Sequence, residues 1–530
     1  MGLSDLFLLL QQLVEQKQDP LRLHPFSLTL LIIVFSSGIF LLLRRLQGAV
    51  RSREKLNPPP SPPRFPIIGN IHQLGPQIHR VFRDLSQKYG PLMLLRLGQK
   101  PIVVVSSAEM AAEILKTHDL VFADRLGSIA AKVIFYGCND IALSPYGEYW
   151  RQVRRICVLE LLSIKRVQSF RFVREEEVAK VIDKISSSSS VEETINLSEL
   201  LFSLSNKIIS RCSLGDNYKK EYTNRFAELL KEADCLMRGF SFGDFFPLLG
   251  WIDVLNGFTA KLRRTSQELD TFFDQVIDDH LLSKSHVDDD EDQDDKKNFI
   301  DLLLLHAEKD NLSLTRDNIK GIIMDMFVGG SDTSATIIEW TMAELIKNPK
   351  LMKKAQEEIR RVVGKKSKVE EQDIYQMDYL KYVIKESLRL HAPLPTLVAR
   401  KSTASAKIGG YDVPANTGVF INAWAIQRDS KSWDNPEEFR PERFINNSID
   451  FKGQDFQFIP FGSGRRGCPG MSFGLAVVEF VLANLLYGFN WELPGGANSE
   501  ELDMTEGFGI TINRKIPLHV VPKLFHSASS

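Results

Sequence analysis

The stretch from Phe461 to Gly470 constrains the chain most, because it places one cysteine in a glycine-rich loop directly before an apolar run. It reads Phe-Gly-Ser-Gly-Arg-Arg-Gly-Cys-Pro-Gly, and the apolar run extends from Met471 to Leu486. A thiolate at Cys468 would lie near a helix N-terminus, where the helix dipole and free N–H groups favour negative charge. The glycines let backbone amides approach the sulfur closely. A thiolate with one open side is a soft metal ligand, which suits the iron of haem.

Two other interpretations of this loop need to be weighed. Gly462, Gly464 and Gly467 spell a G-x-G-x-x-G pattern, which indicates dinucleotide binding only after a strand and with an acid about 20 residues further on. Glu479 comes too early for that acid, so this interpretation is disfavoured. Cys468 can also be read as a buried and inert residue, which is common for a free cysteine.

Composition narrows the class of protein. The chain has 530 residues, of which 43% are hydrophobic, and this is enough for a large core. A formal net charge of −1 gives no indication of a nucleic-acid partner. The five cysteines are an odd number without paired spacing, which predicts no disulfide framework and a reducing compartment for the folded part.

The N-terminal region predicts a membrane anchor followed by a linker. Residues 26–43 are almost all apolar and are near the lower length limit for a spanning helix. Basic residues follow them, and since positive charge stays cytoplasmic, residues 1–25 are expected in the lumen and the bulk of the chain in the cytosol. Residues 44–66 form a basic and proline-rich linker, expected to act as a semi-rigid spacer. A cleaved signal peptide and a disordered linker are the alternatives.

Short strands and long helices are predicted after the linker. Residues 93–97 and 102–106 are apolar or β-branched runs on either side of Gly98-Gln99-Lys100, which predicts a hairpin. Helical patterns dominate from residue 108 onwards, and the serine run 186–190 is expected to be a loop tip. The expected fold class is mainly α with small β-sheets (α+β).

Two polar pairs lie at helical spacing. Trp150 and Arg154 are one turn apart, so an indole N–H and a guanidinium can together hold a carboxylate. Read alone, they would be a core aromatic and a surface cation. Glu386 and Arg389 lie at i, i+3, and on a surface such a pair contributes little to stability.

One long helix is predicted from Asp317 to Lys347, with Thr315 as its N-cap. Its middle reads Gly-Gly-Ser-Asp-Thr-Ser from Gly329 to Ser334. Glycine weakens a helix, and serine or threonine hydroxyls can bond to i−4 carbonyls and bend it. A local opening there would leave room for water beside a flat cofactor. A flexible packing point in a core helix is the alternative.

Together these motifs resemble the cytochrome P-450 superfamily. The loop around Cys468 matches the haem-binding signature F-x-x-G-x-R-x-C-x-G at every fixed position. The resemblance covers nearly the whole chain from Phe26, with the motifs in the order of the family, and the segments look like the plant A-type microsomal group. It implies the cytochrome P-450 fold with an N-terminal transmembrane helix, a haem-thiolate catalytic domain over residues 67–530, and haem b with Cys468 as the axial ligand of the iron.

The resemblance also assigns roles to other residues. Asp332 and Thr333 are implied to deliver protons to dioxygen. Haem contacts are implied for Trp150, Arg154, Arg400, Phe461, Arg466 and Cys468. A structural triad that braces the cysteine loop is implied for Glu386, Arg389 and Arg443. Substrate contacts are implied for Ile129, Phe327, Val328, Gly329, Leu397, Val398 and Phe508. The segment before Arg400 departs from the family pattern at Ala392, Thr396 and Ala399, which leaves its backbone less fixed.

The activity implied by the resemblance is that of a haem-thiolate monooxygenase. Such an enzyme would insert one oxygen atom of dioxygen into a small lipophilic plant metabolite: a terpenoid, an alkaloid or a phenylpropanoid. Its electrons would come from NADPH through NADPH-cytochrome P-450 reductase. The expected location is the endoplasmic reticulum membrane, in contact with its lipid, as a single-pass protein with the catalytic domain facing the cytosol.

Two alternatives belong to other functional classes. One is a haem-thiolate isomerase or aldoxime dehydratase that does not use dioxygen, and family members of this type often lack the acid–threonine pair. The other is a non-enzymatic, membrane-anchored haem sensor. Asp332 and Thr333 argue against both.

Overall fold

The computed structural model describes residues 56–215, 220–284, 297–309 and 314–525, together with Thr29 and residues 36–38. The chain divides into two compact units, Met1–Asn57 and Pro58–Ser530. In the first unit, Thr29 and residues 36–38 are helical. The predicted segment 1–25, the rest of the anchor 26–43 and the linker up to residue 55 lie outside the described residues.

Helices form most of the second unit. The α-helices are α1 Ile78–Tyr89, α2 Ala108–Ala112, α3 Ile129–Ile134, α4 Glu148–Ile156, α5 Ile164–Ser169, α6 Arg171–Ser189, α7 Leu197–Leu214, α8 Lys220–Arg238, α9 Phe242–Phe245, α10 Ile252–Leu255, α11 Phe258–Lys284, α12 Phe299–Lys309, α13 Arg316–Gly330, α14 Asp332–Lys347, α15 Pro349–Val363, α16 Asp378–Leu390, α17 Ala423–Ile426 and α18 Met471–Gly488. Single turns of π-helix extend α2 and α4, over Glu113–Thr117 and Cys157–Leu161. Short 3₁₀-helices include Gly464–Arg466 in the cysteine loop.

The strands are short and form three small sheets. They are β1 Leu92–Leu97, β2 Lys100–Val105, β3 Asp124–Arg125, β4 Ile195–Asn196, β5 Arg400–Lys401, β6 Ala406–Ile408, β7 Tyr411–Val413, β8 Gly418–Ile421, β9 Phe489–Glu492 and β10 His519–Leu524. The sheets have the orders β1-β2-β8-β5-β3, β4-β10-β9 and β6-β7. The predicted hairpin is confirmed, since β1 and β2 pair antiparallel from Leu92 opposite Val105 to Leu97 opposite Lys100. The predicted α+β class is confirmed as well.

The predicted long helix is interrupted in the segment where an opening was expected. Thr315 caps α13, and its side chain accepts a hydrogen bond from the amide of Asn318, as predicted. The helix ends at Gly330 and resumes at Asp332, with Ser331 between the two parts. The amide of Ser331 still donates to the carbonyl of Phe327 at 3.1 Å. The break is therefore local, and α13 and α14 continue one another.

The serine run does not form a loop tip, and this prediction was wrong. Helix α6 continues through it to Ser189. Ser187 donates from its hydroxyl to the carbonyl of Asp183 at 2.9 Å, and Ser189 accepts from the amide of Leu524 at 3.0 Å. The hydroxyls thus satisfy backbone groups of the helix and of β10, which offsets the weak helix propensity of serine.

The core places the cysteine loop beside the interrupted helix. Every residue of α14 from Ser334 to Ile346 is buried. Helix α18 begins just after the cysteine loop and packs against α14. A Cβ added to Gly474 of α18 would lie 3.7 Å from Oγ of Ser334, so the two helices approach closely at their N-terminal ends. Among the described helices, only α18 is long and apolar enough to span a membrane, and half of it is buried within the fold.

Candidate haem site

The cysteine loop is folded tightly by backbone contacts. The amide of Cys468 donates to the carbonyl of Phe461 at 2.9 Å, and the amide of Gly467 donates to that of Gly464 at 3.0 Å. Gly464 has a φ of +68°, and a Cβ there would lie 2.4 Å from the carbonyl oxygen of Leu115. Only glycine therefore fits this position without moving the backbone. The loop fixes Cys468 two residues before Gly470, the N-cap of α18.

The environment of Cys468 suits a thiolate ligand with one open side. Burial raises the pKa of the thiol, whereas a hydrogen bond from the amide of Gly470 and the charge of Arg154 act to lower it. The protein surrounds the residue on most sides, yet Cys468 keeps an exposed face, unlike the buried Cys138, Cys157 and Cys212. The inert buried cysteine is therefore disfavoured. No strand lies within residues 451–463, so the dinucleotide pattern lacks its strand as well.

Arg466 of the cysteine loop lies among three arginines from other elements, and we refer to Arg125, Arg154, Arg400 and Arg466 as the arginine cluster. Arg125 and Arg400 lie directly opposite each other on the paired strands β3 and β5. Arg154 on α4 donates to the carbonyl of Gly467 at 2.6 Å, next to the cysteine. Arg400 donates to the carbonyl of Ser463 at 2.9 Å. The strands, α4 and the loop thus bring four guanidinium groups to one place.

The cluster carries more buried positive charge than its protein partners neutralise. Burial, followed by repulsion from Arg400 and Arg466, lowers the pKa of Arg125 well below its usual range. Burial also lowers the pKa values of Arg400 and Arg466 to about 10. Arg400 contacts the carboxylate of Asp119 only at 3.4 Å, while most bonds of the cluster go to backbone carbonyls. Because buried cations need anionic partners, this donor set fits the two propionates of haem b.

Arg125 is a site residue that the sequence motifs did not reveal. Its Nε donates to the carbonyl of Ala142 at 2.8 Å, and a terminal nitrogen donates to that of Val398 at 2.7 Å. Its only signal in the sequence is a charged pair, Asp124-Arg125, directly after the apolar Val121-Phe122-Ala123. That signal is weak, because the same pattern occurs wherever a strand reaches the surface.

The remaining predicted haem contacts lie around the cluster. The indole of Trp150 donates to the carbonyl of Ile141 at 3.0 Å, and the guanidinium of Arg466 lies 4.1 Å from the centre of its ring. Arg466 also donates to the carbonyls of Ala123 and Ser144. Phe461 packs its ring on Phe451, with the centroids 5.5 Å apart. A direct contact of Trp150 or Phe461 with haem stays a prediction.

Asp332 and Thr333 lie at the first turn of α14. The hydroxyl of Thr333 donates to the carbonyl of Gly329 at 2.5 Å, across the interruption between the helices. Burial raises the pKa of Asp332, and hydrogen bonds from Thr511 and Asn513 partly oppose this effect. The amide of Asn513 donates to Oδ1 of Asp332 at 3.4 Å. The pair therefore combines a hydroxyl with a carboxyl group that is easier to protonate than usual.

Glu386 and Arg389 form a buried ion pair, not a surface pair. Two nitrogens of Arg389 donate to the two carboxylate oxygens of Glu386, each at 2.8 Å, and both side chains are fully buried. Arg443 donates to Oε1 of Glu386 at 2.8 Å as well. The geometry is that of the predicted triad.

A short chain of hydrogen bonds links the triad to the cysteine loop. Arg389 donates to the carbonyl of Gln427 at 2.9 Å. The side chain of Gln427 in turn accepts from the amide of Ile459 at 3.1 Å, two residues before Phe461. The triad is thus placed to brace the loop.

The predicted substrate contacts are only partly brought together. Val328 and Gly329 are exposed on α13 beside the interruption, and Leu397 lies 3.9 Å from the position of a Cβ on Gly462 in the cysteine loop. Phe327 is fully buried, and its ring meets that of Phe226 edge-on at 4.6 Å. Ile129 on α3 and Phe508 in a loop are exposed, and Val398 in another loop is partly buried. All seven stay predictions as pocket residues.

Comparisons with known proteins identify the family of this chain. The family model described as cytochrome P-450 matches residues 59–518. Cytochrome P-450 71A1 from Persea americana is 58% identical over 86% of this chain and 91% of its own length. Phenylacetaldehyde oxime monooxygenase from Prunus mume is 49% identical over 98% of this chain and 99% of its own.

A solved structure shares the fold. A zebra fish cytochrome P-450 with progesterone superimposes with a TM-score of 0.70, over 84% of this chain and 99% of that one. Its sequence is 23% identical, so this likeness concerns the fold alone. The chain therefore belongs to the cytochrome P-450 family, as a haem b monooxygenase that uses dioxygen, a redox partner and a small substrate.

Proposed function

We propose that the protein oxidises a small lipophilic plant specialised metabolite (a terpenoid, an alkaloid or a phenylpropanoid), with electrons from NADPH-cytochrome P-450 reductase. The observation that carries this proposal is the position of Cys468, whose exposed face lies in a loop beside the interrupted helix α13–α14. The seven predicted pocket residues are all uncharged, which favours an apolar substrate. Relatives in plants include desmethylyatein synthase, 48% identical, and strychnine-11-hydroxylase, 46% identical.

The chain's own residues would hold the haem, position its propionates and control the delivery of protons. Bound haem b supplies the activation of dioxygen. Cys468 would hold its iron, and the arginine cluster would bind its propionates with charge-assisted hydrogen bonds. Asp332, held by hydrogen bonds from Thr511 and Asn513, would take up protons from solvent and pass them toward Thr333, whose hydroxyl would present them at the opening of the helix.

Isotope labelling tests the reaction type. Purified full-length protein with the reductase and NADPH is expected to consume dioxygen and to place one atom of ¹⁸O₂ in the product from a panel of plant metabolites. A product formed at the same rate without dioxygen would instead indicate an isomerase or a dehydratase. A protein that binds haem but turns over no substrate would instead favour the non-enzymatic haem sensor.

Variants of the proton pair should separate chemistry from binding. Thr333→Val and Asp332→Asn are each expected to lower kcat by about 10²-fold, because each removes a group that transfers a proton. The substrate-induced change of the haem spectrum should keep its midpoint concentration. Thr333→Ser is the matched control, since it keeps the hydroxyl and should retain most of kcat. Equal rates for Thr333→Val and wild type would contradict the proposed role.

An exposed apolar surface supports a membrane as partner. It consists of Phe65, Ile67, Ile68, Leu248, Trp251 and Leu255, of which Ile67 and Leu248 are 81% exposed. Two backbone bonds join its parts: the amide of Gly98 donates to the carbonyl of Ile68 at 3.2 Å, and that of Gln99 donates to the carbonyl of Phe245 at 3.0 Å. Contiguous apolar surface of this kind is typical of a membrane or protein contact. We propose that it meets the lipid of the endoplasmic reticulum.

Glycosylation tests the proposed orientation. Asn196, Asn311 and Asn446 are acceptors by pattern, and Asn311 lies outside the described residues. All three are expected to stay unmodified in plant microsomes, whereas the double substitution Gln11→Asn/Leu13→Ser should create a modified site in the lumenal segment. The measurement is the mobility of the protein before and after endoglycosidase. Glycan on any of the three natural sites would reverse the orientation.

A further inference from the structure

A short loop supplies the carbonyl groups that orient much of the haem site. We call residues 139–144 the acceptor loop. The carbonyl of Ile141 accepts from Trp150 at 3.0 Å and from Arg466 at 3.2 Å. The carbonyl of Ala142 accepts from Arg125 at 2.8 Å, and that of Ser144 accepts from Arg466. Two members of the arginine cluster and the neighbouring indole therefore take their positions from this loop.

The loop contains no helix or strand and is held by a carboxyl group on α13. Oδ2 of Asp325 accepts from the amide of Ile141 at 2.6 Å and from the amide of Ala142 at 3.1 Å. One turn earlier, a Cβ on Gly321 would lie 2.9 Å from the carbonyl oxygen of Asn139. The backbone of α13 thus lies directly on the loop. Asp325 binds the amides of Ile141 and Ala142, the same two residues whose carbonyls accept from Trp150, Arg466 and Arg125.

A second carboxyl group completes this contact. Asp140 is fully buried; its Oδ2 accepts from the amide of Leu143 at 2.8 Å, and its Oδ1 has no partner among the described N–H and O–H donors. Burial and the proximity of Asp140 raise the pKa of Asp325 well above its usual range. Two neighbouring buried carboxyl groups do not readily both ionise, so the pair would hold one proton, which Asp325 would donate to the otherwise unpartnered Oδ1 of Asp140. Arg466 faces the pair from the cysteine loop.

We propose that Asp325 is a positioning residue for haem: through its hydrogen bonds to the amides of Ile141 and Ala142 it clamps the acceptor loop to α13, and so fixes the positions of Arg125, Arg466 and Trp150. The proposal rests on the assignment of the arginine cluster to the haem propionates. Helix α13 would then have two roles, since it holds the acceptor loop through Asp325 and also carries Val328 and Gly329 at the opening. Nothing in the haem-binding signature or the acid–threonine pair includes this residue.

The test compares two variants of Asp325 that keep the charge of the carboxyl pair with a third variant that controls for lost stability. Asp325→Asn keeps an oxygen for the two amides and an N–H donor for Asp140, and so imitates the protonated acid. Asp325→Ala removes the clamp but leaves the net charge of the pair unchanged, because the neutral member is lost and Asp140 keeps its charge. Glu371→Ala is the control for lost stability, since it breaks the ion pair with the buried Arg174. The readouts are transfer of ferric haem from purified full-length protein to excess apomyoglobin and the reduction potential of the haem.

Asp325→Ala is expected to lose haem about tenfold faster than wild type or more, with a more negative potential, because the cations move away from the propionates. Asp325→Asn should match wild type in both readouts, and Glu371→Ala should match it in potential. If Asp325→Ala yields no holoprotein, Asp325→Asn alone decides, and a faster haem loss in that variant overturns the proposal.

A reference variant separates the clamp from the assignment on which it rests. Arg466→Ala is expected to speed haem loss. If it does so while Asp325→Ala behaves as wild type, the clamp is wrong and the assignment of the arginine cluster stands. If neither variant speeds haem loss, the assignment itself fails.

Discussion

Cys468→Ser is expected to abolish monooxygenase activity, down to the background of free haem. The substitution removes the thiolate that the loop places just before the N-terminus of α18, and a serine hydroxyl is a much weaker ligand for iron. Reduced protein treated with carbon monoxide should lose the red-shifted Soret band of a thiolate-bound haem. Activity is measured with the reductase and NADPH on the same preparation.

Cys235→Ser is the matched control for this experiment, because Cys235 is also an exposed free cysteine but lies on α8. It should keep both the spectrum and the rate. A Cys468→Ser protein that retains the thiolate band would show that another residue binds the iron, and the site around the cysteine loop would have to be abandoned.

Glu386→Ala is expected to cost about 3–5 kcal/mol in the free energy of unfolding, since it leaves two buried arginines without their shared carboxylate. Arg389 and Arg443 each bond to Glu386 at 2.8 Å, and the pair of Glu386 and Arg389 is fully buried. We also expect a lower yield of haem-containing protein, because the triad leads through Gln427 to the cysteine loop. Urea unfolding followed by fluorescence, with haem content per polypeptide, measures both effects.

The control for Glu386→Ala is Glu357→Ala on α15. Glu357 also lies in an ion pair, with Lys353 at 3.8 Å, but both side chains are mostly exposed. Removing it should change the free energy of unfolding by about 0.5 kcal/mol or less. Similar losses for the two variants would contradict a bracing role for the triad.

Much of the fold and of the site was predictable because the signals are local. The hairpin of β1 and β2 follows from two apolar runs around a short turn, and the N-cap at Thr315 follows from its spacing to the helix. The cysteine loop is also local, since its glycines, its cysteine and the start of α18 are neighbours in sequence. In each case the residues that interact lie within a few positions of one another.

Other features depend on contacts between distant parts of the chain. Arg125 and Arg400 become neighbours only because β3 and β5 pair, and no short motif contains both. The serine run is helical partly because Leu524, on β10, bonds to Ser189. The interruption was expected between Gly329 and Ser334, but the residues that pack against it come from a distant part of the chain. A Cβ on Gly330, for example, would lie 3.1 Å from the side chain of Ile209. Pattern alone does not encode these partners.

The arginine cluster has a consequence for biosynthesis. Buried cations that lie close together repel one another. Folding of the polypeptide without cofactor therefore carries a free-energy cost, which the propionates offset when haem binds. A ligand that binds only the folded state raises stability with its concentration, by mass action. The supply of porphyrin in the cell should therefore help to set how much of this protein survives quality control, apart from how fast each molecule works.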